Sequence, residues 1–152
     1  MSRFLDERLL ALTPYTPGEH PKENDLIKLN TNESPFAPSP KTQAAAQGQI
    51  ESLQLYPDPS SMVLHTALAD FFEVGTENVI TGNGSDELLA FSFQALCPQG
   101  AAFPDITYAF YPVYAALYGV ETEVIPLRDD FSLNVEDYYK KGKTIFIANP
   151  NA

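Results

Sequence analysis

The sequence predicts an α/β protein in which helices cover a mostly parallel sheet. Two observations lead to this class. Short apolar segments alternate after residue 56 with helical segments of about ten residues, and crossovers of that length join parallel strands. The 152 residues are also 44% hydrophobic and 12% aromatic, which is the composition of a globular domain with a core and not of a disordered chain.

The first forty residues predict an extended arm, because proline interrupts them repeatedly. Prolines stand at positions 14, 17, 21, 35, 38 and 40, and regular elements rarely tolerate that spacing. A short helix over residues 3–12 precedes the prolines, and residues 26–30 predict one short extended segment between them. Two interpretations of the arm stay open: it reaches a partner subunit, or it is a loosely ordered terminus.

The elements after residue 56 follow from caps, glycines and apolar periodicity. Serines open helices at their N-caps, glycines end them, and a proline fits the first turn. These signals predict, in chain order, a helix from Ser60 or Ser61 to Phe71 ended by Gly75, a strand at 78–81, a helix opened by residues 85–87 and continuing to about Cys97, a strand at 101–103, a helix at 110–118, a strand at 121–126, a short acidic helix from Asn134 to Lys141, and a strand at 144–148.

Charge and cysteine content exclude several classes of function. Twenty Asp and Glu against nine Lys and Arg give a net charge of −11, which disfavours nucleic acids and anionic membranes as partners. No apolar run reaches the ~18 residues of a membrane span, and the charged start of the chain is unlike a signal peptide. Cys97 is the only cysteine, which excludes a disulfide framework and a cysteine-rich metal site, so we expect a reducing, cytoplasmic location.

The strongest local motif is Gly-Asn-Gly-Ser-Asp-Glu at residues 82–87, between a predicted strand and a predicted helix. The glycines permit a tight turn, and N–H groups at a helix N-terminus bind a phosphate or a carboxylate. The motif is not a Walker loop, because no Gly-Lys-Ser/Thr follows, and it lacks the third spaced glycine of a dinucleotide site. Two interpretations stay open here: a phosphate site, or an ordinary tight turn capped by Ser85.

Two further loops follow predicted strands and therefore lie at the same edge of a parallel sheet. Tyr108 follows the strand at 101–103, where its ring either stacks on a flat, aromatic ligand or packs in the core. Asn149 and Asn151 follow the last strand, where they either donate to a ligand or form a turn. Because open α/β sheets bind ligands at the carboxyl ends of their strands, the convergence of three loops predicts a binding site at this edge.

No catalytic nucleophile or metal site accompanies this motif. His20 and His65 have no partner at metal-ligand spacing, and nothing places either of them beside Ser85 to form a triad. Asp86 and Glu87 are adjacent, so their side chains point about 100° apart on a helix and suit capping better than an acid–base pair. The lysines lack the apolar surroundings that make a lysine nucleophilic, since they occupy polar segments at positions 22, 28, 41, 140, 141 and 143.

Six segments together match one enzyme family. They read LTPYTPG (12–18), LNTNESP (29–35), LYPDPSS (55–61), GNGSDE (82–87), FPDITY (103–108) and NPNA (149–152). With them the chain resembles the N-terminal part of the histidinol-phosphate aminotransferases, in the fold-type-I pyridoxal-phosphate superfamily. The resemblance implies an incomplete large domain of that fold, a partial three-layer sandwich. Residues 1–45 would form an N-terminal arm with a small-domain or interface segment, and residues 46–152 the first part of the cofactor-binding large domain.

The resemblance also implies a cofactor, a reaction and an assembly. The cofactor is pyridoxal 5'-phosphate, and the reaction transfers an amino group between histidinol phosphate and 2-oxoglutarate, with glutamate as its counterpart, in histidine biosynthesis. The enzymes of this family are homodimers. Tyr108 would stack on the cofactor ring, and Asn151 is the candidate for its 3-hydroxyl, because Ala152 stands where the commoner family form has that Asn. The cofactor phosphate would be cradled by the backbone of Gly84, Ser85 and Asp86.

Other residues matched by the resemblance face the substrate and the second subunit. Tyr56 would reach across the dimer interface to the neighbouring cofactor phosphate, Tyr15 would hold the substrate phosphate, and Asn32 with Glu33 would line the substrate. The family's Schiff-base lysine has no counterpart here, so no catalytic residue is predicted. We expect the chain to be a fragment that is inactive alone. Two alternatives stay open. In the first, the 152-residue chain is itself the functional molecule, a catalytically silent fragment that binds phosphate or a partner chain. In the second, the whole protein is a related aromatic aminotransferase or phospho-amino-acid decarboxylase.

Overall fold

The computed structural model describes residue 4, residues 6–10, residue 12, residues 27–139 and residues 142–151. Two compact units are present: a sheet unit of residues 81–151 with the described residues up to Leu12, and an arm unit of residues 27–80. The helices are α1 (Glu7–Leu10), α2 (Pro40–Gly48), α3 (Met62–Phe72), α4 (Ser85–Ala95) and α5 (Phe110–Tyr118); the strands are β1 (Ala101–Pro104), β2 (Thr122–Ile125) and β3 (Thr144–Ile145). No helix among the described residues is both long and apolar enough to cross a bilayer.

The sheet unit is built on three parallel strands in the order β2-β1-β3. Ala101 in the central strand lies opposite Thr122 of β2 and Thr144 of β3. Helix α5 connects β1 to β2, and it begins and ends at the residues that Pro112 in its first turn and Gly119 after its last turn predict. The predicted α/β class with a parallel sheet is therefore confirmed.

The core lies on both faces of the sheet, because successive strand residues point to opposite sides. On one face, Ala102 packs with Ile125 and Tyr138. The rings of Phe93 in α4 and Phe146 after β3 stack on the other face, with centroids 4.1 Å apart. The cluster on that face comprises Phe93, Ala101, Phe103, Tyr111, Tyr114, Ala115 and Phe146. This packing fixes α4 against the sheet, and with it the loop that precedes α4.

Two strand predictions need correction. The strand predicted at 78–81 is wrong: Asn78 ends a 3₁₀-helix that begins at Thr76, and Val79 is extended with φ −116° and ψ 127°. Extended backbone becomes a strand only with a hydrogen-bonded neighbour, and no described strand pairs with this segment. The last strand is shorter than predicted, since β3 has two residues, although the Phe146 N–H still donates to the Ala102 oxygen at 2.9 Å.

The acidic helix predicted from Asn134 to Lys141 is also wrong in type and length. A single 3₁₀-helix covers Val135–Asp137, and Asn134 occupies its N-cap position without a side-chain cap bond. Short connecting segments commonly adopt such a turn, because the tighter 3₁₀ ring closes with fewer residues than an α-helix needs. Lys140 and Lys141 lie outside the described residues.

The arm unit contains a helix that the sequence analysis missed. The Ser39 hydroxyl caps α2 by accepting a hydrogen bond from the Thr42 N–H at 3.2 Å, and Pro40 occupies the first turn. The signal was therefore present as Ser-Pro before an alanine run. Helix α2 runs across residue 45, and the division predicted there stays a prediction. The extended segment predicted at 26–30 contributes no strand among the described residues.

The residues that cap helix α3 at its two ends differ from those predicted. Ser61 stands at its N-cap with φ 49° and makes no side-chain cap bond. The carboxylate of Asp58 caps the helix instead, accepting from the Met62 N–H at 3.1 Å. At the other end Glu73, not Gly75, takes the left-handed conformation, with φ 55°. A carboxylate three residues before the cap position can reach the first turn, which spacing alone did not reveal.

Candidate functional site

Glycine stands at two positions of the loop before α4, with a different structural role at each. Gly84, the N-cap of α4, has φ 83° and ψ 171°, a conformation that is essentially confined to glycine. A Cβ at Gly84 would nevertheless meet no heavy atom within 4 Å. A Cβ at Gly82 would lie 2.9 Å from Oε2 of Glu87 and 3.0 Å from Cδ2 of Leu88. Gly84 therefore permits the backbone conformation of the turn, and Gly82 leaves room for the side chains of Glu87 and Leu88 in α4.

Glu87 holds this loop from the first turn of α4. Its Oε2 accepts a hydrogen bond from the Asn83 N–H at 2.7 Å, and the Asn83 amide nitrogen lies 3.4 Å from the same oxygen. This confirms the capping role predicted for Glu87. The alternative that Ser85 caps the helix is wrong, because Gly84 is the N-cap and Ser85 is already the first helical residue.

The first turn of α4 presents backbone donors at an exposed surface. Ser85 and Asp86 are its first two residues, so their N–H groups have no acceptor within the helix. Both residues are exposed, and the space that a Cβ on Gly84 would enter is open. Backbone N–H groups at the positive end of a helix dipole suit an anion such as a phosphate or carboxylate.

Tyr108 lies beside this turn and is held at both ends. Its hydroxyl donates a hydrogen bond to Oδ1 of Asp86 at 2.7 Å. Its ring packs against Phe110, with centroids 5.7 Å apart and planes 23° apart, and meets Tyr111 edge-on. Tyr108 as a whole still remains 37% exposed. Tyr108 is therefore only partly buried although its side chain is held in place, and its exposed surface can contact a ligand.

Asp86 also interacts with Tyr114, which lies in α5. Burial raises the pKa of Tyr114 to about 12, with further contributions from the negative charge of Asp86 and a hydrogen bond to its carboxylate. Tyr114 itself is a core residue that packs on Phe93. Sequence reasoning assigned only the backbone of Asp86 to the site and missed these side-chain partners, which lie 22 or more residues away along the chain.

The loops after β1 and β3 also meet at this edge of the sheet. The Asn151 amide nitrogen donates to the Ile106 oxygen at 2.9 Å. The start of the Ile106 loop is held by Asp105, whose Oδ1 accepts from the N–H groups of Ile106 and Leu127, each at 2.9 Å. The Asn151 amide keeps a second hydrogen and its oxygen for other partners. The structure therefore brings together the three loops that the sequence predicted to converge.

The remaining predicted residues belong to the arm unit or are not described. Tyr56 is fully exposed there, and Tyr15 lies outside the described residues. Asn32 has φ 52°, in the left-handed region. Lys28 ties this segment together, because its Nζ lies 2.7 Å from Oε2 of Glu33 and donates to the neighbouring Thr31 hydroxyl.

Lys143 is the only lysine among the described residues of the sheet unit. Lys28 and Lys41 belong to the arm unit. Lys143 precedes β3, at the opposite edge, where its Nζ lies 3.4 Å from Oε1 of Glu121. The described residues also contain no cluster of His, Cys, Asp and Glu that could hold a metal ion.

The opposite edge of the sheet carries a cavity of about 830 Å³. Cys97, Gly100 and Glu121 are among the residues that line it, at the amino ends of the strands. Burial raises the pKa of the Cys97 thiol, which makes it a poor nucleophile at neutral pH. The turn before α4 thus lies away from this cavity, and we place the candidate functional site at the turn.

Comparisons with known proteins show which proteins this chain resembles. The family model for class I and II aminotransferases matches residues 24–152. Histidinol-phosphate aminotransferase 1 of Methylococcus capsulatus is 51% identical over all of this chain and 43% of its own length. Histidinol-phosphate aminotransferase 2 of Dechloromonas aromatica is 52% identical over all of this chain and 45% of its own length. The chain spans less than half the length of these curated relatives.

Two solved structures resemble the chain as well. A protein of Erwinia carotovora atroseptica, provisionally named a histidinol-phosphate aminotransferase, superposes with a TM-score of 0.73 at 24% identity, covering 82% of this chain and 38% of its own. That likeness shows the fold alone. A provisionally named aminotransferase of Burkholderia pseudomallei has a TM-score of 0.60 at 25% identity, over 70% of this chain and 33% of its own.

Proposed function

This chain belongs to the class I and II aminotransferase family, and from that premise we propose that the whole protein is a pyridoxal-phosphate-dependent transaminase acting on histidinol phosphate and 2-oxoglutarate. Relatives that carry the histidinol-phosphate aminotransferase name match the entire chain at about half identity, which supports this substrate pair. The observation that carries the proposal is the juxtaposition of the first turn of α4 with the Tyr108 ring. That pair offers an anion site beside an aromatic surface.

The residues at this edge fit the phosphate end of the cofactor. Ser85 and Asp86 would donate their N–H groups to phosphate oxygens, and the bare Gly84 would leave room for the phosphate, since no atom occupies the space in front of it. The Ser85 hydroxyl adds a donor on the same turn. Glu87 would hold the turn in place through its bond to the Asn83 N–H.

The same edge fits the pyridine ring. The partly exposed Tyr108 would stack on the ring, and the uncommitted part of the Asn151 amide would donate to its 3-hydroxyl. When bound, the cofactor supplies an electron sink that stabilises negative charge at the carbon bearing the amino group. This chain's own residues would bind and orient the cofactor, and Lys143, the described lysine of the sheet unit, lies at the opposite edge of the sheet.

Further residues toward the N-terminus would contribute to the substrate and cofactor sites of the whole protein. We propose Asn32 and Glu33, together with Tyr15, as substrate-lining residues, and Tyr56 as a residue that reaches the neighbouring subunit's cofactor phosphate in a homodimer. The complete exposure of Tyr56 supports a role toward another surface. A cytoplasmic location is part of the proposal, since a single cysteine suits a reducing compartment.

A substrate panel assayed with the whole protein tests the function. We expect glutamate to form from 2-oxoglutarate only when histidinol phosphate and pyridoxal phosphate are both present. A strong preference for an aromatic amino acid would overturn the substrate assignment in favour of an aromatic aminotransferase. Release of carbon dioxide from a phosphorylated amino acid would instead identify a decarboxylase.

A further inference from the structure

We propose that the Asp86 side chain is a positioning residue that holds the Tyr108 ring beside the anion-binding first turn of α4. The proposal rests on the proposed function, because it assigns the ring to the cofactor that this turn would bind. It differs from what the sequence suggested for the Asp86 side chain, which was helix capping and complementation of the helix dipole.

The hydrogen bond itself joins two separate elements at the site. The Tyr108 hydroxyl donates to Oδ1 of Asp86 at 2.7 Å, across 22 residues of sequence. Asp86 is the second residue of α4, so its backbone N–H belongs to the anion-binding turn while its carboxylate reaches the aromatic ring. One residue therefore links the position of the phosphate donors to the position of the ring.

Hydrogen bonds fix the start of the loop that carries Tyr108, and a further hydrogen bond fixes the Tyr108 side chain. Asp105 fixes the backbone of Ile106 and Leu127, and the Asn151 amide holds the Ile106 oxygen. Beyond Ile106, the phenol of Tyr108 provides a polar anchor toward α4. Because Tyr108 is 37% exposed, packing against Phe110 covers only part of the residue, and the hydrogen bond to Asp86 adds a second restraint on its side chain.

The carboxylate of Asp86 is directed toward protein donors. Besides Tyr108 it interacts with the hydroxyl of the buried Tyr114 in α5. Phenol donors satisfy a carboxylate and disperse its charge, which reduces its repulsion of a phosphate at the same turn. This explains how an acidic side chain can stand in an anion site.

Four variants test the positioning role: Asp86→Ala, Asp86→Asn, Tyr108→Phe, and the double variant of Asp86→Ala with Tyr108→Phe. Tyr108→Phe keeps the ring and removes only the donor, and Asn at position 86 keeps an oxygen that can accept from the phenol. Tyr139→Phe and Asp129→Ala are matched controls at exposed positions outside the site. Far-ultraviolet circular dichroism confirms that each variant folds.

The measurements are the dissociation constant for pyridoxal phosphate and the circular dichroism induced in the bound cofactor, which reports the orientation of its ring. We expect Asp86→Ala and Tyr108→Phe each to weaken binding about tenfold, as loss of a charge-assisted hydrogen bond predicts, and to reduce the induced signal. The double variant should bind no more weakly than either single one, and Asp86→Asn should retain most of both readouts.

The outcomes separate the two claims. A wild-type chain that binds pyridoxal phosphate, with a Tyr108→Phe variant of unchanged affinity and unchanged induced signal, overturns the positioning role alone. Additive losses in the double variant also overturn it, because two residues that act through one bond cannot lose it twice. A wild-type chain that shows no saturable binding overturns the proposed function of this turn, and the positioning role with it.

Discussion

At the scale of single residues, Gly84 and Gly48 show that space and backbone conformation are separate constraints. Neither glycine has an atom within 4 Å of a Cβ placed on it, but only Gly84 has a positive φ. We predict that Gly84→Ala destabilises the chain by about 1–3 kcal/mol and weakens pyridoxal phosphate binding. Gly48→Ala at the end of α2 is the matched control and should be neutral or stabilising. Urea unfolding and cofactor titration check both variants, and equal behaviour of the two would contradict the assigned strain.

Tyr138 is a buried residue whose hydroxyl has no hydrogen-bond partner among the described residues. Burial raises its pKa, with smaller contributions from the charges of Asp105 and Asp137. An unsatisfied buried hydroxyl costs about 1–3 kcal/mol, so Tyr138→Phe should stabilise the chain by about 1 kcal/mol. Chemical denaturation measures this difference. A loss of stability would show that the hydroxyl has a partner in solution.

Tyr114 predicts a specific dependence of stability on pH. Its pKa is raised from 10.0 to about 12 in the folded chain, so the unfolded chain releases this proton first. The contribution to stability is complete below pH 10 and is lost as the pH rises through 12. Substitution of Asp86→Asn removes one cause of the shift and should lower the pKa of Tyr114, as followed by NMR of its ring. Asp129→Asn, remote from the ring, should leave that pKa unchanged.

At the scale of elements, the start of α3 depends on Asp58 and not on Ser61. We predict that Asp58→Ala lowers the unfolding midpoint, because the first turn loses its acceptor for the Met62 N–H. Ser61→Ala should have little effect, since Ser61 makes no side-chain cap bond. Hydrogen bonds from Ser60 hold the pKa of Asp58 below 3.8 in the folded state. The cap is therefore intact above the ordinary pKa and is lost as the pH falls through the lower, folded value.

The comparison of these two alanine variants in urea, at neutral and acidic pH, checks the cap. The difference between them should shrink as the Asp58 carboxyl becomes protonated. If Ser61→Ala proved the more destabilising change at neutral pH, the assignment of the cap would be wrong.

Most elements of the sheet unit follow from local signals, and the failures have a common cause. Pro112 and Gly119 bound α5, and the apolar segment at Ala101 becomes the buried central strand. The strand predicted at 78–81 fails because an apolar, extended segment is a strand only when a neighbour pairs with it. Local sequence reports backbone preference, whereas pairing depends on segments far away in the chain.

The site follows the same rule. That the loops after β1 and β3 meet at one edge was predictable, because the carboxyl ends of parallel strands coincide. The same reasoning does not account for the turn before α4, because the strand predicted at 78–81 is not part of the described sheet. The bond between Asp86 and Tyr108 was not predictable, because it depends on the rotation of α4 against the sheet. That rotation is set by the packing of Phe93 on Phe146, which only the folded core specifies.

At the scale of the whole molecule, we propose that this chain separates cofactor binding from catalysis. The sheet edge offers a phosphate turn and an aromatic ring, while Lys143, the described lysine of the sheet unit, lies at the opposite edge. We predict that the 152-residue chain alone shows no transamination of histidinol phosphate with 2-oxoglutarate. Borohydride reduction with pyridoxal phosphate, followed by intact mass, should give no stoichiometric adduct at one lysine. Measurable turnover or such an adduct would refute this separation.

The central claim is that the first turn of α4 and the Tyr108 ring form the cofactor site of this chain. NMR amide shifts during a titration with pyridoxal phosphate test it most directly, because they map the ligand onto the sequence. We predict saturable shifts centred on Gly84, Ser85 and Asp86, with smaller ones at Tyr108. Shifts centred instead on Cys97, Gly100 and Glu121, around the cavity at the opposite edge, would contradict the claim, and so would the absence of any saturable shift.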